Sequence, residues 1–117
     1  MIDDHADVLD GVLRILEYGG YEAEGTTRFT HDINTKLKTE PFCLIILDVM
    51  LSGSDGRDIA RQFKSDKETK DIPILMMSAY PNVEGSVKRA GAEYFIKKPF
   101  GVNEMISKLE SIGKGEK

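Results

Sequence analysis

The chain alternates between segments with helical spacing of apolar residues and short, continuous apolar runs. Over residues 6–18, apolar side chains recur every three or four positions, which predicts an amphipathic helix ended by Gly19-Gly20. The same spacing, with glycine or proline at several ends, predicts five helices in all, near residues 6–18, 29–37, 56–66, 83–90 and 103–112.

Four segments between these helices predict β-strands. Residues 43–47 carry no charge and do not alternate, so both faces of this strand should be covered, as in the centre of a parallel sheet. The other predicted strands are residues 72–79, residues 93–98 before Pro99, and a weaker, alternating segment at 21–26. Because strands and helices alternate along the chain, we expect a three-layer, doubly wound α/β domain with a parallel sheet.

Polar residues stand where the predicted strands end. Asp48 and Ser78 end two apolar runs, Lys98 ends a third, and Asp3-Asp4 precede the first helix, where a first strand would end. The carboxyl ends of parallel strands share one edge of a sheet, and functional groups gather there. We therefore expect these side chains to lie close together.

Composition restricts the class of protein. The chain has 117 residues, enough for one domain with one core. A net charge of −4 argues against direct binding to nucleic acid, which needs clustered basic residues. No apolar run reaches the roughly 20 residues of a membrane span, and the acidic N-terminus differs from a signal peptide. One cysteine excludes an internal disulfide, so a cytoplasmic protein is expected.

The residues at the shared edge favour phosphoryl transfer onto a carboxylate. Asp3 or Asp4 with Asp48 can supply oxygen ligands for Mg²⁺, which proteins hold with one or two carboxylates plus phosphate oxygens. Lys98 and Ser78 can donate to phosphoryl oxygens, and aspartate is an established nucleophile in acyl-phosphate chemistry. Taken singly, these residues are more often caps, turn residues or solvated side chains. Their order along one predicted edge favours the functional interpretation.

The motifs resemble those of the receiver domain of two-component response regulators, in particular chemotaxis regulators. They are "DD" at 3–4, "LIILDVML" from 44 with "DG" at 55–56, "ILMMSA" at 74–79 and "YFIKKPF" at 94–100. The resemblance extends over residues 1–113 as one domain, with 114–117 as a tail. It implies a flavodoxin-like, five-stranded parallel sheet of order 2-1-3-4-5.

The resemblance implies a phosphorelay signalling domain, which catalyses only its own phosphorylation and dephosphorylation. Asp48 is the expected acceptor of a phosphoryl group from a sensor histidine kinase or a phosphotransfer protein. The cofactor implied is Mg²⁺, and its expected ligands are Asp3, Asp4, Asp48 and the backbone carbonyl of Met50.

The resemblance also implies a switch. The Ser78 hydroxyl and the Lys98 ammonium are expected to move to the phosphoryl group, and Phe95 is expected to rotate inward. A face made of the fourth helix, fifth strand and fifth helix would then bind a downstream protein target or act on an output domain outside this chain. Homodimerisation through that face is left open.

The sequence departs from the family pattern at its start. Only Met1 and Ile2 precede Asp3, so the first strand is truncated, and losing three or four buried apolar residues would cost on the order of 5–10 kcal/mol. Either the start lies downstream of the natural one, or a partner supplies the missing strand. In addition, Ser52 stands where the family commonly has proline, and Ser78 where threonine is commoner.

Four other residues have side chains that could bind a metal or affect the reaction. Cys43 is expected to be a packed core thiol, and His31 a surface residue. His5 follows the acidic pair and could approach a metal, but a solvent-facing position in the first turn is favoured, since Mg²⁺ prefers oxygen. Tyr80 could influence the access of water to an acyl phosphate or be a merely exposed loop residue.

Two other functions remain open at this point. The domain could be a degenerate receiver that binds proteins without phosphorylation, and the short first strand supports that alternative. A small phosphatase with an aspartyl nucleophile would typically need a second acid at position 50, where this chain has Met50.

Overall fold

A computed structural model describes residues 1–28, 30–51 and 53–113. The helices are α1 (Ala6–Tyr18), α2 (His31–Thr39), α3 (Gly56–Ser65), α4 (Glu84–Arg89) and α5 (Val102–Gly113). The strands are β1 (Ile45–Asp48), β2 (Met50–Leu51), β3 (Ser54–Asp55), β4 (Ile74–Ser78) and β5 (Tyr94–Lys97). All five predicted helices are present, and three of the four predicted strands are.

The central sheet is parallel and contains β1, β4 and β5 in that order. Ile2 extends it by parallel bridges to Leu47 on one side and to Thr26 on the other. From edge to edge the order is therefore Thr26, Ile2, β1, β4 and β5. This is the predicted 2-1-3-4-5 order, with its first two strands reduced to single bridged positions.

Helices cover both faces of the sheet. Residues that alternate along each strand therefore pack into two different cores, one on each face. On one face Ile74 and Met76 pack with residues of α2, α3 and α4. On the other, Leu75 and Met77 pack with residues of α1 and α5. The three-layer, doubly wound α/β architecture is thus confirmed.

The predicted strand at 21–26 is wrong, since only Thr26 takes part in a bridge. The backbone bonds between this segment and residues 1–3 are confined to Glu24 and Thr26. Thr26 N donates to Met1 O at 2.9 Å, and Asp3 N donates to Thr26 O at 3.2 Å. The rest of the segment is exposed and unassigned.

Cys43 is exposed, so its prediction as a core thiol is wrong. The apolar run becomes a strand only at Ile45, whose partner Ile74 is the first residue of β4. On the other side, the neighbouring segment begins level with Ile46, which accepts a hydrogen bond from Ile2 N at 2.8 Å. Cys43 therefore precedes both neighbours of β1 and is not covered by either.

Three sequence features lie outside the described residues. These are Phe29, predicted to face the core from the second helix; Ser52, at the family's proline position; and the tail at 114–117. The described part of the second helix still buries Leu37, and Thr30 caps its start by accepting from Ile33 N.

Ile2 takes the place of a first strand almost alone. Its N–H donates to Ile46 O, and its carbonyl accepts from Asp48 N at 3.0 Å. Its side chain is 3% exposed and packs in the same core as Leu47 and Leu37. One buried residue therefore joins the edge segment to β1 and sets the position of Asp3.

We predict that Ile2→Ala lowers the free energy of unfolding by about 2–5 kcal/mol, because it empties a buried site that no other strand residue can fill. Val102→Ala is the control, since Val102 is 46% exposed at the start of α5 and its truncation should cost less than about 0.5 kcal/mol. Urea unfolding followed by circular dichroism measures both. Equal stabilities would show that Ile2 is not structurally important.

Candidate functional site

The predicted site residues meet at the carboxyl edge of the sheet. Asp48 is the last residue of β1, Ser78 is the last of β4, and Lys98 directly follows β5. Asp3 follows the bridged Ile2. Asp3, Asp48 and Ser78 are all buried, although their side chains are polar. Buried polar groups need partners, and here Lys98 donates to both carboxylates while Ser78 Oγ accepts from a backbone N–H.

Lys98 joins two of the carboxylates. Its Nζ donates to Asp3 Oδ2 at 3.1 Å and to Asp48 Oδ1 at 3.2 Å. Asp3 is completely buried, and Asp48 is 4% exposed. The backbone N–H of Lys98 donates to Ser78 O at 2.8 Å, so the same residue connects the ends of β4 and β5. The lysine lies where it can also reach a group attached to Asp48.

Asp3 and Asp4 are oriented differently. Asp3 Oδ1 accepts from the backbone N–H of His5 at 3.0 Å and so supports the start of α1. Asp4 Oδ1 is a buried atom that accepts no hydrogen bond from any residue the structure describes. The His5 Nδ1 atom lies 3.1 Å from it. A cation would satisfy a buried carboxylate oxygen that has no hydrogen-bond donor.

The donor set fits a divalent cation. Asp3, Asp4, His5 and Asp48 each offer one ligand atom, and the four atoms lie within 4.8 Å of one another. Three carboxylates face a single ammonium, that of Lys98, so the cluster has an excess of negative charge. Oxygen ligands at such separations are those that Mg²⁺ prefers.

The pKa of Asp48 is raised above its ordinary value of 3.8, chiefly because burial disfavours the charged carboxylate. The nearby Lys98 ammonium acts in the opposite direction, and the negative charge of Asp3 raises the pKa further. Without a cation, the buried negative charge of Asp48 therefore lowers the free energy of unfolding.

The remaining predicted residues lie around this cluster. Ser78 Oγ accepts from Tyr80 N at 3.0 Å, and Tyr80 itself is exposed. Phe95 is half-buried in the edge strand β5, opposite Met76 and away from the carboxylates. Met50 follows Asp48 by two residues, with an exposed side chain. The assignment of its carbonyl as a metal ligand stays a prediction.

Gly56, at the start of α3, lies against the backbone of Asp48, and the sequence pattern alone does not predict this contact. A Cβ at this position would overlap the backbone carbonyl oxygen of Asp48. Its own N–H donates to Val49 O at 2.6 Å, which fastens the start of α3 to the residue after Asp48. The "DG" pair was the available signal: Asp55 caps α3 by accepting from Arg57 N, and glycine allows the close approach.

Arg57 is a second residue that only the structure reveals. Its guanidinium binds Asp55 at 2.6 and 2.9 Å and donates to Ser86 Oγ of α4 at 3.0 Å. These bonds hold the pKa of Asp55 below its ordinary value. The contact links the first turn of α3, together with Asp55 before it, to α4. No sequence signal could have identified it, since it joins residues 29 positions apart.

Comparison with known proteins identifies the class. Residues 1–110 match the family model of the response regulator receiver domain. The chain belongs to this family of phosphoacceptor signalling domains of two-component systems.

Individual relatives agree with this assignment. The phosphate regulon transcriptional regulatory protein PhoB of Pseudomonas aeruginosa is 34% identical over 117 residues, which cover 96% of this chain and 49% of that protein. Among solved structures, the receiver domain of NtrX from Brucella abortus has a TM-score of 0.80 at 32% identity, covering 93% of this chain and 92% of that chain. The chemotaxis protein CheY4 of Vibrio cholerae has a TM-score of 0.83 at 25% identity, covering 95% and 93%.

The chain spans about half the length of the curated relatives it matches. None of the helices within the described ranges has the length and apolar content needed to cross a membrane.

We predict that Gly56→Ala lowers the free energy of unfolding by about 1–3 kcal/mol, because the added methyl group must displace the Asp48 carbonyl. Gly11→Ala is the matched control. Gly11 is exposed within α1 with open space around it, so alanine there should stabilise by up to about 1 kcal/mol. Urea titrations of the two variants should move in opposite directions; a shift in the same direction would contradict the close approach.

We predict that Asp48→Asn raises the melting temperature at neutral pH without divalent cations, because it removes a buried charge. A carboxyl group with a raised folded-state pKa destabilises the fold above that pKa, and the penalty disappears as pH falls below the ordinary value. The gain of the variant over wild type should therefore shrink towards pH 4 and below. Thermal unfolding across pH measures the difference, and a variant less stable than wild type at pH 7 would refute it.

Proposed function

We propose that Asp48 accepts a phosphoryl group from the phosphohistidine of a sensor histidine kinase or a phosphotransfer protein. The observation that carries this proposal is the position of Asp48: a buried carboxylate at a strand end, bonded to Lys98 and grouped with Asp3 and Asp4. A structural aspartate of this burial would need no second and third acid beside it.

The charges of the site suit this transfer. In the reaction an Asp48 oxygen forms a bond to phosphorus while the bond from phosphorus to the donor imidazole nitrogen breaks, and the imidazole leaves. Both the nucleophile and the incoming group are anionic, so positive charge must lie beside them. Lys98 supplies one such charge. Mg²⁺, held by Asp3, Asp4, Asp48 and the Met50 carbonyl, would supply the rest by neutralising the phosphoryl oxygens.

Phosphorylation would then change which groups the site attracts. A dianionic acyl phosphate at Asp48 accepts charge-assisted hydrogen bonds from the Lys98 ammonium and from the Ser78 hydroxyl. In the described state Ser78 Oγ accepts from Tyr80 N, so the residue can turn its own proton towards the phosphoryl group. Movement of Ser78 would leave space that the half-buried Phe95 of β5 can fill.

The switched surface is the face formed by α4, β5 and α5. β5 is the outer strand of the sheet, and the α4 helix is short, with six residues. Such an element has few contacts to hold it in one place. We propose that a downstream protein, an output domain or a second copy of this domain binds there, in the cytoplasm and without direct contact to nucleic acid. The regulator PhoB, named as transcriptional, is about twice as long as this chain.

The central experiment is to incubate the protein with acetyl phosphate and Mg²⁺ and to record its intact mass. We expect one phosphoryl adduct, absent from Asp48→Asn and absent when the metal is chelated. Asp55→Asn is the matched control, because Asp55 lies in the same loop, and asparagine can still cap α3. It should be phosphorylated like wild type.

The opposite result has a defined meaning. If folded wild-type protein forms no adduct, or if Asp48→Asn is modified equally, the phosphoacceptor assignment is wrong. The degenerate receiver, which binds partners without phosphorylation, would then be the better description.

A further inference from the structure

His5 places an imidazole nitrogen among the carboxylates. Its Nδ1 lies 3.1 Å from Asp4 Oδ1 and 3.4 Å from Asp3 Oδ1. Capping of α1 does not explain this position of the ring. His5 is the N-cap residue of α1, but its side chain makes no capping hydrogen bond, and the bond to Asp3 comes from its backbone N–H.

The distances from Nδ1 to Asp4 Oδ1 and to Asp3 Oδ1 are close to those between neighbouring ligands of one ion. Neighbouring ligands of an octahedral cation with bonds of about 2.1 Å lie about 3 Å apart. The Nδ1 atom is at that distance from Asp4 Oδ1 and slightly beyond it from Asp3 Oδ1. The imidazole is 67% exposed, so it can turn by the small amount still needed.

The state of Asp4 Oδ1 supports a shared cation. This oxygen is buried and accepts no hydrogen bond from the described residues, although Nδ1 lies 3.1 Å from it. A cation bound between the two atoms would satisfy both the buried oxygen and the ring nitrogen.

We propose that His5 is a nitrogen ligand of the cation site at Asp3, Asp4 and Asp48, and that it shifts the preference of the site from Mg²⁺ towards borderline ions such as Ni²⁺ and Zn²⁺. Mg²⁺ gains little from an imidazole, whereas nitrogen ligands strengthen binding of the later divalent ions. The inference rests on the proposed function, since it needs the same carboxylates to bind a cation.

The test is calorimetric titration of Mg²⁺ and of Ni²⁺ into protein that carries no added polyhistidine segment. We expect His5→Ala to weaken Ni²⁺ binding by about tenfold or more and to change Mg²⁺ binding by less than about twofold. The variant keeps the backbone bond to Asp3 and removes no side-chain cap. A second variant, His5→Asp, exchanges nitrogen for oxygen and should strengthen Mg²⁺ binding while it weakens Ni²⁺ binding.

His31→Ala is the matched control. His31 is the only other histidine of the chain, and it is likewise an exposed residue at the start of a helix. Ni²⁺ affinity should be unchanged in this variant. Nuclear magnetic resonance of ¹⁵N-labelled histidine adds a direct readout: Ni²⁺ should broaden the His5 ring resonance at concentrations that leave the His31 resonance sharp.

The outcomes separate the two proposals. If His5→Ala binds Ni²⁺ as tightly as wild type, the inference about His5 is wrong, and the phosphoacceptor proposal stands unaffected. If wild type binds neither ion, or if Asp48→Asn binds both as tightly as wild type does, the carboxylate cluster is not a cation site. Both proposals then fail.

Discussion

The backbone hydrogen bonds of residues 1–3 are the constraint on which sheet and site together depend: Ile2 bonds to β1, and Met1 and Asp3 bond to Thr26. They join the edge at Thr26 to β1, and they fix the residue that precedes Asp3. A longer first strand would spread this task over several residues. In this chain one buried side chain and a few hydrogen bonds hold the acidic pair level with the end of β1, so stability and site geometry are coupled at one position.

The site itself works against the stability of the fold. Burial raises the pKa of Asp48, and the site has three carboxylates but a single ammonium, that of Lys98. A protein selected only for stability would have no reason to bury this charge. The imbalance is useful if a cation and a phosphoryl group enter the site, because each then finds groups of the right charge already in place, and no large rearrangement is needed.

Two contacts link this centre to the surface around it. Gly56 brings the start of α3 against the Asp48 carbonyl, and Arg57 ties the same turn to Ser86 of α4. The segment that contacts Asp48 is therefore also in contact with the short helix α4. The Phe95 side chain of the edge strand β5 packs on the same face of the sheet as α2, α3 and α4, where its packing can respond.

The sequence alone determined the order of helices and strands, the parallel sheet, and the meeting of Asp48, Ser78, Lys98 and the acidic pair at one edge. These follow from periodicity and from the geometry of parallel strands, which are local or general rules. The tertiary structure decided the rest. Residues 21–25 form no strand bridge and Cys43 is exposed, because strand pairing depends on how far each neighbour extends. The orientation of His5 towards Asp4, and the reach of Arg57 to Ser86, depend on how separate segments pack, and no local pattern records that.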